Sequence, residues 1–400
     1  MRILTVGASP YLLVRNGRMN ADVLKRLKED GHDVVSAVWH HDEGYFLPDE
    51  GGIHNFEDEN GNVICELYPF LLHTNQADAA LYELMKKLQP DMVISIGDYK
   101  EVSFIYAIKE MLPTYFKWVA VFPIDCLHVN EEFKHQIEYA DYVVTTSNFG
   151  AEDISNLCNV RAECIPYGPN HSNFPWVERS CETPTFICSA KNAQASNLGA
   201  YIKAFGNVGR PGTDIEARAK LHTNLYDPGD YELPLLIDRY QAHNVELPEK
   251  FVSIKDSITD EEVAEEYASA HFVVDVSVKS ATALSMLEAM ATGCIPIGPN
   301  SGRVGEIISM MPEEFQLFLP HVTYIGGKEE EYSVVSVEGL EEVIVEAVVD
   351  RFVDSDWMAE ASKAARQVAL EFSNQSFLDG LTQTIATVSQ TEAPIAVESF

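Results

Sequence analysis

The chain has 400 residues, 46% of them hydrophobic and 22% charged, with a formal charge of −34. Domains usually run to about 100–200 residues, so this length favours two units, each able to bury a core without disulfides or metal staples. No apolar run approaches the roughly 20 residues that span a bilayer, and an acidic field of this size repels duplex nucleic acid and anionic lipid.

MRILTVGASP enters an apolar strand at once, without the charged region, long apolar stretch and cleavage site of a secretory signal, so a cytoplasmic location is expected. Seven cysteines, scattered and odd in number, are read as reduced thiols. Cys126, beside Asp125 and His128, is read as a packed thiol.

Short β-type runs then alternate with helical patterns, the signature of parallel strands joined by crossover helices. The expected strands of the first half are Ile3–Val6, Val34–Val38, Met92–Ile96, Trp118–Phe122 and Tyr142–Thr145. Between them, Met19–Asp30 carries Leu24 and Leu27 at helical spacing and ends at Gly31, and Asp78–Leu88 stops at Pro90. The polar stretch Asn170–Pro184 is read as the interdomain linker.

The same pattern restarts with strands at Thr185–Ser189, Lys220–Thr223, Phe251–Ile254, Phe272–Val276, Cys294–Ile297 and Val322–Ile325. Helices are expected over Leu198–Phe205, Tyr231–Ala242, Asp260–Ala268, Leu284–Ala291, Val337–Val348, Trp357–Phe372 and Gln375–Val388. The fold class is thus α/β, with two Rossmann-like halves and a last helix free to cross back onto the first.

The chain carries no Gly-x-x-x-x-Gly-Lys-[Ser/Thr] loop, no His-Glu-x-x-His, no Gly-x-Ser-x-Gly, and no Gly-x-Gly-x-x-Gly after its first strand. Kinase, zinc protease, hydrolase and ordinary dehydrogenase readings lose their support. The informative stretch is Val276–Ile307. A strand ends near Val276, a small-residue turn follows, and a helix starts near Leu284. Its unpaired amides can hold a pyrophosphate without a Walker lysine. Glu288, one turn inside, is placed to accept from ribose hydroxyls. A second turn, Gly298–Gly302, again leads into a helix.

LEAMATGCIPIGPNSGRVGEI, starting at Leu287, resembles the donor-site block of the retaining group 1 (family 4-like) glycosyltransferases, E-G-F-G-L-P-x-L-E-A-M-A-x-G-x-P-V-I. ADYVVTTSNFGAEDI, CIPYGPNHSNFP and FICSAKNAQASNLGAYIKAF resemble further family segments in the same order. The resemblance implies the GT-B fold, two Rossmann-like domains facing across a cleft. Here they are expected over 1–172 and 173–372, with a helix at about 373–389 returning to the first and a flexible tail at 390–400.

It also implies roles. Glu288 matches the ribose-binding glutamate, while Ser280 stands where a second glutamate contacts the transferred sugar. The family's Arg and Lys pair on the donor diphosphate matches Lys191 and Ser196, with Asn192 in the same loop, so one cation remains. The helix-end residues Thr282, Ala283 and Leu284 would carry more of the diphosphate, with Arg303 as a substitute charge. In the first domain Gly7, Arg15 and Gly17 resemble the acceptor-side loop, and Asp125 matches a residue facing the sugar.

The implied activity is that of a hexosyl- or pentosyltransferase. It moves a sugar from a UDP- or GDP-type nucleotide sugar to a carbohydrate or other hydroxyl acceptor, with retention and with no metal or other cofactor. Nucleic acid is not an expected partner. Two alternatives stand: a phage-type DNA base glycosyltransferase, and a degenerate protein that binds nucleotide sugars without turnover.

Overall fold

The computed structural model describes residues 1–12, 15–40, 52–71, 77–102, 104–112, 116–126, 130–179, 182–210, 212–213, 215–224, 231–248, 258–326 and 330–390. The expected strand Phe251–Ile254, His128 and the tail beyond 390 lie outside them, as does the side chain of Arg15. The chain divides into two compact units. Met1–Ile124, His128–Tyr167 and Asn374–Phe400 form the first, and Asp125–Leu127 with Gly168–Ser373 form the second.

Among the described residues the first unit is built on an eight-stranded sheet. Its strands are β1 (Arg2–Ala8), β2 (Asp33–His40), β3 (His54–Glu57), β4 (Val63–Leu71), β5 (Met92–Ile96), β6 (Lys117–Phe122), β7 (Tyr142–Thr145) and β8 (Ala162–Cys164). They lie in the order β3-β4-β2-β1-β5-β6-β7-β8, parallel throughout except for the β3–β4 hairpin. The central strands read as continuous apolar runs because helices cover both faces. Their few polar groups pair internally: Thr5 Oγ1 bonds Ser36 Oγ at 2.7 Å, and the buried Trp118 Nε1 donates to Ser95 Oγ at 2.9 Å.

The last helix, Asn374–Gln390, belongs to this first unit. Phe377 packs edge-on to Tyr167 at 5.3 Å, Arg26 pairs with Asp379 at 2.7 Å, and Asp22 accepts from Tyr167 and Asn374.

The second unit holds a six-stranded parallel sheet of β9 (Thr185–Ser189), β10 (Arg218–His222), β11 (Val245–Glu246), β12 (Phe272–Val274), β13 (Ile295–Pro299) and β14 (Leu317–Leu319). The order β11-β10-β9-β12-β13-β14 is the doubly wound arrangement, reversing between β9 and β12. Strand alternation supplies both cores. Phe186 and Cys188 enter one with Phe272 and Val274, while Ile187 and Val273 enter the other with helix Leu284–Thr292. Phe186 and Phe272 stack at 4.8 Å, and burying such a side chain contributes about 1.5–3 kcal/mol.

Two expectations shift. The stretch Asn170–Pro184 packs into the second unit: Phe174 is in its core, and Arg179 donates to Ala270 O at 3.0 Å and to Thr292 Oγ1 at 2.9 Å. Val322–Ile325 is a strand but does not extend the parallel sheet. As β15 (His321–Ile325) it pairs antiparallel with β16 (Glu331–Val335), and the edge of the parallel sheet falls to β14. Among the described residues no helix is long and apolar enough to cross a membrane, and the six described cysteines form no disulfide.

Candidate functional site

A parallel sheet gathers its βα turns at one edge, and ligands of such sheets sit where the strand order reverses. In the second unit that point lies between the turns following β9 and β12. They are joined directly, the Val278 amide donating to Ala195 O at 2.8 Å. The β9 turn carries Lys191, Asn192 and Ser196, and the β12 turn carries Ser280 through Leu284, so one edge collects most of the residues singled out above.

Their environments differ. Lys191 is exposed, whereas Asn192 is fully buried and serves the scaffold. Its Nδ2 donates to Tyr231 O at 2.9 Å, its Oδ1 accepts from Tyr231 N, and its own amide reaches Asn224 Oδ1. Ser196 closes a short 3-10 turn and is buried. Thr282 and Ala283 are buried at the start of helix Leu284–Thr292, and Ala283 is its N-cap at φ 48°. No side chain caps that helix, which leaves first-turn amides directed at the edge.

Glu288 is only 6% exposed on a helix whose neighbouring residues, Met286 to Thr292, are buried. A solvated acid compensating the helix dipole would lie open to water; this one does not. Tyr267 OH stands 3.4 Å from Glu288 Oε2 and 3.0 Å from Ser189 Oγ. The Tyr267 ring in turn lies 6.5 Å from that of His222, which lines a cavity of about 350 Å³ with Lys220, Glu246, Pro248 and Glu262 among others. Tyr267 and His222 carry no sequence signal of this placement; an aromatic on helix Asp260–Ala268 reads as core.

Asp275, just past β12, is a second carboxylate that sequence reading missed. Its Oδ1 accepts from the Ser277 amide at 2.8 Å. Burial raises its carboxyl above the usual carboxylate range, and hydrogen bonds from Ser277 and from the Ser280 hydroxyl pull it back. Ser280, where the resembling family has a glutamate, therefore holds a carboxylate supplied five residues earlier.

Arg303 is the second residue of helix Gly302–Ser309, which follows β13 at the same edge, and is 2% exposed. β16 leans on both turns: Lys279 Nζ lies 4.5 Å from the Tyr332 ring centroid, and Asn197 Nδ2 reaches Val335 O at 3.4 Å.

In the first unit the equivalent reversal lies between β1 and β5. Gly7 is near the end of β1, where an added Cβ would come within 3.0 Å of Ile96 O. Gly17 lies in the first turn of helix Arg15–Glu29, and a Cβ there would strike the carbonyls of Ser9 and Leu12. Both glycines are thus required by close backbone approach. Asp125 follows β6 but falls in the second unit, and is half-buried. Among the described residues no group of three or more His, Cys, Asp or Glu side chains could hold a metal ion.

No family model and no curated protein matches the chain in sequence. Solved structures do match in fold. Sucrose-phosphate synthase from Thermosynechococcus elongatus superposes with a TM-score of 0.73 at 14% identity, covering 97% of this chain and 99% of that one. A glycosyltransferase from Rickettsia africae gives 0.70 at 14% identity, over 98% and 99%. The alpha,alpha-trehalose 6-phosphate synthase from Burkholderia multivorans gives 0.69 at 9%, over 97% and 98%. Over nearly its whole length the chain therefore has the two-unit α/β fold of these GT-B glycosyltransferases.

Proposed function

We propose that this protein transfers a sugar from a nucleotide diphosphate-sugar to an acceptor hydroxyl, retaining the anomeric configuration. The observation that carries the reading is Glu288, a buried carboxylate one turn inside an uncapped helix at the point where the strand order reverses. A carboxylate is rarely buried without a purpose that repays its desolvation, and here it suits the two hydroxyls of a ribose. The cavity beyond Tyr267 and His222 takes the base. The amides at Ala283–Leu284, with Lys191, stabilise the departing diphosphate, and this leaving-group stabilisation is the main chemical demand of the reaction. Asp275, held by Ser280, supplies a carboxylate on the sugar side. Asp125 is assigned to the same reaction, and the cytoplasm is the assigned location.

The names of the structural neighbours support the reading. Two are synthases of sugar phosphates, and another solved structure with this fold, from E. coli, is described as bound with UDP-2-fluoro glucose, at a TM-score of 0.70 and 9% identity.

Calorimetry with UDP and GDP tests it. Glu288→Ala should weaken the bound diphosphate by about 1.5–3 kcal/mol, the worth of hydrogen bonds to a charged group, and Glu288→Gln by less. The parent should prefer the ribose to the 2′-deoxyribose form, and the Ala variant should not. Equal binding by parent and Glu288→Ala sinks the assignment. Donor hydrolysis or transfer by the parent separates an enzyme from a protein that only binds.

A further inference from the structure

Arg303 is the most deeply buried charged side chain near the carboxyl edge of the second sheet, and it is half used. Nη1 donates to Glu306 Oε2 at 2.9 Å, and the guanidinium carbon sits 4.5 Å from the ring centroid of Phe372. Nε and Nη2 are buried with no hydrogen-bond partner. These two nitrogens share one edge of the planar guanidinium and present parallel N–H groups, the fork that grips two oxygens of a phosphate or carboxylate. Leaving such donors dry and unpaired is costly, and a well-packed site removes that cost by binding an acceptor.

The setting selects the acceptor's charge. Arg303 lies in the first turn of helix Gly302–Ser309, whose N-cap Ser301 makes no side-chain cap, so the unpaired guanidinium and the positive end of the helix belong to the same turn. A neutral carbonyl would satisfy the fork only in part; a dianionic phosphoryl group satisfies the fork and the helix end together.

We propose that the Nε–Nη2 edge of Arg303 and the first turn of helix Gly302–Ser309 form an oxyanion site for a phosphoryl group. Where that group is the donor's diphosphate, the assignment rests on the nucleotide-sugar reading above. It then provides the second positive charge of the donor site, which Ser196 does not. Where it is a phosphate carried by the acceptor, it defines a phosphorylated acceptor. Arg303 is 2% exposed in this structure, so entry of the ligand requires the packing around it to open.

The full chain and its Arg303→Met variant, which keeps the unbranched stem, are titrated calorimetrically with UDP, UMP, GDP, GMP, glucose 6-phosphate and inorganic phosphate. A donor source predicts that the parent prefers diphosphate to monophosphate and that Arg303→Met loses this preference by about 10- to 100-fold, the equivalent of a charge-assisted hydrogen bond. A phosphorylated acceptor predicts unchanged nucleotide affinities with glucose 6-phosphate or inorganic phosphate binding lost. Identical affinities in all arms overturn the site while leaving the nucleotide-sugar reading intact. A parent that binds no nucleotide but loses phosphate binding on substitution overturns that reading and keeps the site. Should Arg303→Met fail to fold, 15N-arginine spectra of the parent decide: saturating UDP, GDP, glucose 6-phosphate and phosphate must between them shift a solvent-protected Nε–H resonance, and no shift overturns the proposal.

Discussion

Each unit buries a cation, and the two are treated oppositely. In the first, Lys109 is 6% exposed at the amino edge of the sheet, beside the residues that precede β6 and β7. Its Nζ donates to Phe116 O and, at 2.7 Å, to Asp141 Oδ2, while Asp141 also accepts from the Trp118 amide at 2.7 Å. In the second, Arg303 is buried at the carboxyl edge with one nitrogen paired and two left over. The amino edge of a parallel sheet holds no ligand, so a charge buried there must be satisfied by the protein itself. At the carboxyl edge the partner can come from outside. On the proposal that Arg303 binds an outside acceptor, position relative to strand direction, more than residue type, separates the two charges.

The largest expected effect tests that separation through stability. Lys109→Met takes the nearer cation from Asp141, which keeps Lys117 at 3.6 Å and the Trp118 amide, and leaves Phe116 O without its donor, so it should destabilise the first unit by about 2–3 kcal/mol. Arg303→Met takes one partner from Glu306, whose side chain keeps another interaction and is 21% exposed. It also deletes two unsatisfied donors, so its unfolding free energy should stay within about 1 kcal/mol of the parent. Chemical denaturation followed separately for each unit measures both. Equal losses in the two variants would erase the distinction between the edges.

The same contrast explains what could be read from sequence. Strands such as Thr185–Ser189 and Met92–Ile96, and the helix Asp260–Ala268 with its Thr259–Glu262 capping box, emerge where expected because period and caps are local signals. The edge strands β3, β8, β11 and β14 did not, since short edge strands are defined by the neighbours they pair with, and neither did the nine-residue inner strand β4. Glu288 could be singled out as a candidate because its helix start and its motif coincide in the chain. Tyr267, His222 and Asp275 reach the same edge from separate segments, and nothing local marks them. Asn192 shows the reverse: it sits in the right turn, but its amide is spent on Tyr231.

A carboxylate at the carboxyl edge should also make itself felt through pH. The folded-state Asp275 carboxyl is raised above its ordinary 3.8, chiefly by burial. A group raised on folding adds stability when protonated, below its unfolded value, and loses that contribution as pH rises through the folded value. At neutral pH the charged carboxylate is therefore a cost, and Asp275→Asn, which keeps an oxygen to accept from Ser277, should melt above the parent. The gain should be smaller than the Lys109 loss and should close as the solution is acidified. Thermal melts at neutral pH and at the acid limit of solubility check the sign. If the assigned role on the sugar side holds, the same variant loses donor turnover while gaining stability.

The smallest effect concerns the backbone of the turn that enters helix Leu284–Thr292. Ala283 holds φ 48°, a left-handed conformation that costs a residue with a Cβ roughly 1–2 kcal/mol. The resembling family form has glycine here, in G-L of E-G-F-G-L-P, and this chain adopts the glycine geometry without the glycine. Part of the strain relieved by Ala283→Gly returns as extra freedom of the unfolded chain, about 0.4–1 kcal/mol, so a net gain of about 0.5–1 kcal/mol is expected. The buried Ala283 methyl group also leaves its packing among Met286 and Leu287, which draws the gain toward the lower figure. Nucleotide diphosphate affinity should be unchanged, because the substitution keeps the first-turn amides where they are. A variant that is less stable than the parent would mean that the methyl's packing outweighs the strain. A variant that is more stable but binds diphosphate more weakly would mean that the strained turn holds those amides in place.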